Sequence, residues 1–322
     1  MRNNTFYMFS YLYIAKSKHL NNYNCNDMKK LAVLVLSIIC IYTSYAQETK
    51  LSPYFKVGNS SENINTLADQ IKTQLQFKEF EIIGDYQPES NPNLKVICFT
   101  RSDLNELCLK SKDRGALASV IKVGLVKKGD NIDISLLNPD YMFCAYLQNY
   151  ETDKNKFTSI TNDVKNALSS IGSEFSKFGG EVKIPALKKY HYKMMMPYFK
   201  DPVELNEFAS FEEGLELIRK NLKAETGNTK LIYEQIFPDK KTAVFGIGLL
   251  DAEDGEKHFL PIIGEDHIAA MPYDIILQGN QVTMLHGKYR FALYWPELTM
   301  GTFMKIMSTP GDVEDFMENI TK

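Results

Sequence analysis

The sequence predicts an α+β protein built from two duplicated small domains, each a mainly antiparallel sheet with flanking helices. A pattern of strand, glycine-containing turn and strand occurs twice, about 150 residues apart. An amphipathic helix opens each copy. The turn glycines lie at similar distances from the helix centres, with Gly129 58 residues after Ile71 and Gly279 61 residues after Ile218. Matching order and spacing indicate a duplication; two unrelated α+β units of similar pattern are the alternative.

The first copy is assigned to residues 47–178. β-Branched runs on both sides of a Gly-Asp pair predict a hairpin, and Pro139 is well placed as the first residue of a helix. The predicted elements are a helix over 61–77, strands at 80–83 and 94–99, the hairpin over 120–137, a helix from Pro139 and a helix over 157–175.

Residues 179–207, which contain three prolines, predict a linker. The second copy is assigned to residues 208–322. Its predicted elements are a helix over 211–222, strands at 231–237 and 242–250, a hairpin that starts at Met271 and extends as a longer strand pair to Tyr294, and a terminal helix around 313–320.

The N-terminal region predicts export. Residues 28–46 have a basic start, an apolar stretch and small residues at its end, which is the pattern of a secretory signal cleaved between Ala46 and Gln47. The apolar run is shorter than the roughly 20 residues of a membrane span, so no stable span is expected after cleavage. Residues 1–27 are interpreted as an over-extended N-terminus. A retained anchor and a lipidated Cys40 are the alternatives. The predicted location is the periplasm or the exterior.

Charge and cysteine content limit the possible classes of function. A net charge of -3 and a pI near 6.0 do not favour binding to nucleic acid, which needs clustered basic residues. After cleavage, Cys98, Cys108 and Cys144 remain. An odd, sparse set is not a disulfide framework, and the apolar run around Cys98 predicts a buried thiol.

The hairpins resemble an uncharacterised family, domain of unknown function 302. Asn138-Pro139-Asp140-Tyr141-Met142 is similar to the family's exit into the last helix, and Met271-Pro272-Tyr273 is similar to its entry into the hairpin. Tyr273 stands where the family has cysteine, and the family's Gly-x-Cys-Asn-Pro segment has no counterpart. The resemblance implies an α+β fold and an exported accessory protein, without implying a reaction.

Glu265-Asp266-His267 is the strongest candidate for catalysis. Two carboxylates beside an imidazole can bind a cation or transfer protons. A solvated loop or helix cap is the alternative interpretation.

His191 and the run Met194-Met195-Met196 are candidate ligands for a soft metal. Thioethers and imidazole suit Cu(I). Three consecutive methionines point to different sides of a regular element, so a hydrophobic packing segment is the alternative.

Tyr273, Tyr294 and Trp295 are the candidates for ligand binding. Aromatic side chains that combine an apolar body with a polar tip suit binding surfaces. The alternative is a plain sheet core or a seam between the two domains.

The sequence therefore predicts an exported binding or accessory module that acts without a tightly bound cofactor on an unidentified small molecule or protein. The alternatives are a hydrolase or metal-dependent enzyme that uses the 265–267 segment, and a copper-handling protein. Any specialised site is expected in the second copy.

Overall fold

Two antiparallel sheets with one shared strand order carry the fold. The computed structural model describes residues 50–189 and 196–322. Helices flank both sheets, so the predicted α+β class is confirmed. The predicted over-extension, the predicted signal with its Ala46-Gln47 cleavage site, and His191, Met194 and Met195 lie outside the described residues.

The first half carries a six-stranded sheet of order β3-β4-β5-β6-β2-β7. In chain order, its elements are β1 (Lys50–Leu51), β2 (Tyr54–Ser60), α1 (Ile64–Gln76), β3 (Glu81–Tyr86), β4 (Leu94–Thr100), α2 (Ser102–Cys108), β5 (Ile121–Lys128), β6 (Asn131–Leu137), α3 (Pro139–Tyr146), α4 (Lys154–Leu168) and β7 (Ser176–Phe178).

A short connector and the second half follow. The connector contains β8 (Val182–Lys183), which pairs with β1, and α5 (Ile184–Lys188). The second half contains β9 (Val203–Glu207), α6 (Phe211–Lys223), β10 (Thr229–Phe237), β11 (Thr242–Leu249), α7 (Glu256–Ile263), β12 (Tyr273–Gln278), β13 (Gln281–Met284), α8 (Gly287–Tyr294), α9 (Met300–Phe303) and α10 (Thr309–Thr321).

The second sheet has the order β10-β11-β12-β13-β9, which repeats the first five positions of the first sheet. The opening helices also begin alike. The Asn63 side chain accepts a hydrogen bond from the Asn65 N–H at the start of α1, and Ser210 accepts one from Glu213 at the start of α6. The predicted duplication is therefore present in topology and in local structure.

Two strands that the sequence pattern did not indicate open the halves. β2 pairs with β6, and β9 pairs with β13 in the same position of the second sheet. β9 falls within the stretch interpreted as a linker. β9 alternates apolar with polar residues over only five residues, and β2 has no regular alternation over its seven, so both give a weak signal.

The predicted long strand pair up to Tyr294 is wrong. β13 ends at Met284, and the next element is the helix α8. The His286 side chain caps this helix by accepting a hydrogen bond from the Lys288 N–H. Most residues of α8 are buried. A helix that is buried on most sides has no polar face, so its sequence shows no helical period.

The halves contact each other through equivalent elements. A 3-10 turn precedes each hairpin, Gly115–Ser119 in the first half and Glu265–Ala270 in the second. Gln278, the last residue before its hairpin turn, donates to the Lys112 carbonyl at 3.0 Å, and Lys128, at the same position of the other hairpin, forms an ion pair with Asp266. Each half thus uses the end of its hairpin strand to contact the residues before the hairpin of the other half. This reciprocal pattern is that of a twofold dimer interface.

Candidate functional site

A cavity of about 340 Å³ lies against the connector and the end of the second half. Its size falls at the lower end of the range for ligand pockets, roughly 300–1,000 Å³. Phe291, Trp295 and Phe303 contribute aromatic surface, and Val182 and Ala186 of the connector contribute aliphatic surface. The exposed lining residues are Glu181, Lys183, Lys288, Thr299 and Met300.

α8 and the residues after it position the aromatic wall. Trp295 continues the last turn of α8, because its N–H donates to the Phe291 carbonyl at 2.9 Å. The two rings lie 5.3 Å apart, and Phe303 meets the Phe291 ring edge-on at 6.4 Å. Contacts of this kind stabilise aromatic clusters beyond their buried area. Contacts among these three rings therefore help to hold the aromatic wall in place.

A buried arginine lies near this wall. The Arg290 guanidinium is 3% exposed and lies 3.5 Å from the centre of the Tyr273 ring, 4.8 Å from Tyr294 and 6.0 Å from Trp295. One of its nitrogens donates to the Ala270 carbonyl at 2.6 Å. Aromatic faces and carbonyls stabilise this cation in the core.

The three predicted ligand-binding aromatics occupy different surroundings. Trp295 lines the cavity, whereas Tyr273 and Tyr294 are buried against Arg290. The structure thus brings them into one cluster and gives only Trp295 access to the cavity.

The side chains of Glu265, Asp266 and His267 do not converge. Asp266 pairs with Lys128 of the first half. His267 is buried, and its Nε2 lies 3.1 Å from a carboxylate oxygen of Glu297. Sequence reasoning missed Glu297, which lies 30 residues further along the chain.

His267 also belongs to an aromatic cluster. Its ring packs edge-on to Tyr54 at 5.2 Å and lies 6.1 Å from Trp295. Its Nδ1 faces the Gly264 carbonyl at 3.4 Å. Both ring nitrogens of His267 therefore lie near protein groups. Through them the side chain joins the 3-10 turn to the 295–308 segment.

Of the predicted soft-metal ligands, only Met196 is among the described residues. It lines the same cavity as Trp295 and Met300. In the described part of the chain, no group of three or more His, Cys, Asp or Glu side chains could hold a metal ion.

A buried ion pair joins the two halves. The Lys122 ammonium, on a residue that is 2% exposed, lies 3.0 Å from the Asp274 carboxylate and 3.2 Å from the Pro272 carbonyl. The Tyr233 hydroxyl donates to the same carboxylate. The pattern of β5 gave one signal for this cluster, since a lone lysine interrupts an apolar strand.

Two carboxyl groups with raised pKa values lie at the same junction. Burial raises the pKa of Glu256 to about 7. Its oxygens accept hydrogen bonds from the Tyr86 hydroxyl and the Glu89 N–H of the first half, both at 3.1 Å. Burial also raises the pKa of Glu89 to about 7, and the charge of Glu265 adds to this effect.

The remaining groups with chemical potential are buried or paired. Cys98, Cys108 and Cys144 are free and buried, and burial raises the pKa of Cys98 to about 12. A thiol of this kind is a poor nucleophile. A second cavity of about 240 Å³ has charged residues at its edge, among them Lys56 and Asp133, which lie 3.6 Å apart. Within residues 50–189 and 196–322, no helix is both long and apolar enough to cross a membrane.

No protein-family model and no curated protein matches the chain. Among solved structures, it is similar to the crystal structure of an uncharacterised conserved protein, DUF302, from Bacillus stearothermophilus, with 9% sequence identity and a TM-score of 0.30. The match covers 38% of this chain and 98% of that protein. A protein of domain of unknown function 302 is thus a structural neighbour.

Proposed function

We propose that this chain is an exported, non-enzymatic binding protein whose second half takes an apolar small molecule that carries an anionic group. The observation that carries the proposal is the 340 Å³ cavity with Trp295 in its wall. Most of the residues around it are apolar, and Lys183 and Lys288 line it as exposed cations. The one carboxylate of the lining, Glu181, pairs with Lys50 at 3.3 Å, so the two lysines leave the lining with a positive balance. Few polar groups around an apolar surface is the usual composition of a ligand site.

The chain supplies its own reporter for a binding experiment. Trp295 is its single tryptophan, so all tryptophan emission comes from the cavity wall. We expect the apolar anion 1-anilinonaphthalene-8-sulfonate to bind with one-to-one stoichiometry and to quench this emission by energy transfer.

A cavity-filling variant tests the location. Ala292 lines the cavity, and Ala292→Phe places a ring in it. We expect this variant to lose binding of the probe, whereas the matched variant Ala252→Phe, at an exposed loop residue outside the cavity, keeps it. Equal binding by both variants would overturn the assignment of the site.

Export is supported by the pattern of residues 28–46. We expect N-terminal sequencing of secreted protein to begin at Gln47, and a chain that keeps the leader would contradict export.

We also infer that the two halves are diverged copies of a domain of unknown function 302 unit. The support is the repeated strand order together with Asn138-Pro139, which starts α3 where the family has its exit into the last helix. A sequence profile built from residues 50–178 is expected to match residues 203–321. A profile that fails to match would leave the halves without demonstrated common descent.

A further inference from the structure

Three methionines beside the cavity are unusually exposed. Across residues 50–189 and 196–322, six large apolar side chains are exposed, and three of them are Met300 at 73%, Met304 at 57% and Met307 at 59%. Methionine is normally among the buried residue types. Half of this exposed apolar set therefore falls within eight consecutive residues.

These methionines share one face of a helical segment. Met300 begins α9, and the backbone stays in the right-handed helical region at Phe303, Met304 and Met307. Residues at positions i, i+4 and i+7 lie on the same side of a helix, with Cβ atoms of successive members about 5–6 Å apart. The three thioethers can therefore approach one point.

The inner face of the same segment packs against the rest of the protein. Ile306 is fully buried, and Phe303 packs against Phe291 in the cavity wall. The methionines are thus exposed in a segment whose anchoring residues are correctly buried, so their exposure does not result from a missing core contact.

The chemistry of this face selects a soft cation. A thioether is a neutral, polarisable donor that suits Cu(I), whereas hard cations take oxygen ligands. Lys305 lies between the methionines in sequence and is exposed. Its ammonium has no lone pair to offer a metal. Met196 lines the same cavity as Met300, which places a fourth thioether nearby.

We propose that Met300, Met304 and Met307 form a binding site for a soft monovalent cation, Cu(I) or its analogue Ag(I). The site uses other residues than His191, Met194 and Met195, and it shares only Met300 with the lining of the cavity. Three neutral ligands leave the cation with its single positive charge, so binding involves no electron transfer and no proton release.

The test is a titration of the full chain with Ag(I) by calorimetry and with Cu(I), under a reductant, against a chromophoric Cu(I) chelator. We expect one cation per chain. The triple variant Met300→Leu, Met304→Leu, Met307→Leu keeps the volume and apolarity of the face and is expected to lose stoichiometric binding. The matched control Met142→Leu, Met317→Leu removes buried methionines and is expected to bind as the parent does.

Oxidation gives an independent readout. Dilute peroxide converts exposed methionine to the sulfoxide, and mass spectrometry locates it. We expect bound Ag(I) to protect Met300, Met304 and Met307. Stoichiometric Ag(I) binding that survives in the triple leucine variant, or an absence of protection, would overturn the site and direct attention to the thiols.

The two proposals fail separately. The double variant Met304→Leu, Met307→Leu, whose residues do not line the cavity, is expected to keep the naphthalene probe and to lose the cation. Cation binding without probe binding removes the apolar ligand and keeps the metal site, and the reverse result removes the metal site alone.

Discussion

The two halves share a sheet and differ most after the hairpin helix. In the first half, α3 and α4 are separated by seven residues, 147–153, whereas α8 and α10 of the second half are separated by fourteen, 295–308. The short connection closes on itself, because the Asn149 side chain donates to the Asp153 carboxylate at 3.0 Å. The long connection contains α9, one wall of the cavity and the exposed methionines.

This difference lies in the part of the repeated fold that the sheet constrains least. The strand order is retained because strand pairing and the core constrain every residue of a sheet. A connection between helices is less constrained and can lengthen without disturbing the core. The proposed cation site lies in the long connection, and the proposed ligand site is lined by this connection together with α8, the 181–186 stretch and Met196.

The hairpins differ in a second way, at one equivalent position. Gly124 and Asp274 both lie four residues before the end of the first hairpin strand. A side chain at Gly124 would collide with the turn of the other half, since its Cβ would lie 2.4 Å from Ile268. Asp274 instead binds Lys122. At this position the first half thus contributes a glycine, against which Ile268 of the other half packs closely, and the second half contributes a carboxylate.

Removal of the Asp274 charge should lower the unfolding free energy most among the three substitutions. Asp274→Ala leaves the Lys122 ammonium buried without its counter-ion, which costs about 3–5 kcal/mol of unfolding free energy. Urea denaturation measures it. The control Glu234→Ala breaks the exposed ion pair with Arg219 and should cost under about 1 kcal/mol. Equal losses would mean that the junction charge is effectively solvated.

The buried carboxyl at the start of α7 should make stability depend on pH. In the first half, the equivalent helix α2 starts with exposed residues. The folded pKa of Glu256, about 7, exceeds the value of about 4.3 for an unfolded chain. The folded protein therefore binds more protons between these values, and stability falls as pH rises from about 4.5 to about 7.

Glu256→Gln should remove the contribution of Glu256 to this slope, which is roughly 4 kcal/mol at most. Urea denaturation at several pH values between 5 and 8 measures it. Glu89, whose pKa is also raised to about 7, keeps a residual slope. The exposed control Glu253→Gln should leave the profile unchanged. A parent protein with a flat profile would contradict a buried, protonated Glu256.

Adding a methyl group at Gly124 should lower the stability least among the three substitutions. Gly124→Ala forces a shift of Ile268 and of the backbone at Ala269, whose nitrogen would lie 3.0 Å from the new Cβ, and overpacking costs about 1–3 kcal/mol. The control Gly311→Ala lies in α10 with nothing within 4 Å of the added atom, and should stabilise by up to about 1 kcal/mol. Thermal unfolding compares them. A neutral Gly124→Ala would mean that the halves separate easily at this point.

The elements with a clear period were predictable. Ile64, Leu67, Ala68, Ile71 and Leu75 form the buried stripe of α1, as their spacing indicated. The hairpin over 120–137 and the helix starting at Pro139 also occur as predicted. α8 was assigned to a strand, because a helix buried on most sides has no polar face to mark its period.

The candidate site was only partly predictable. The sequence indicates Trp295 as a candidate. Phe291 lies beside it through the last turn of α8, whereas Phe303 joins the cluster only because the chain folds back after Trp295. Arg290 sits in an aromatic run, and nothing local indicates that its charge is stabilised by the carbonyl of Ala270, twenty residues earlier.

The sequence by itself determined the duplication, the α+β class and the opening helices, because these follow from local periodicity and turn chemistry. Only the tertiary structure decided that His267 binds Glu297 rather than its neighbours, that Lys122 pairs with Asp274 across 152 residues, and that Trp295 faces a cavity. Such pairings depend on how the two sheets meet. A buried charge needs a partner, and these partners lie far apart in the sequence, so no short window of sequence contains both.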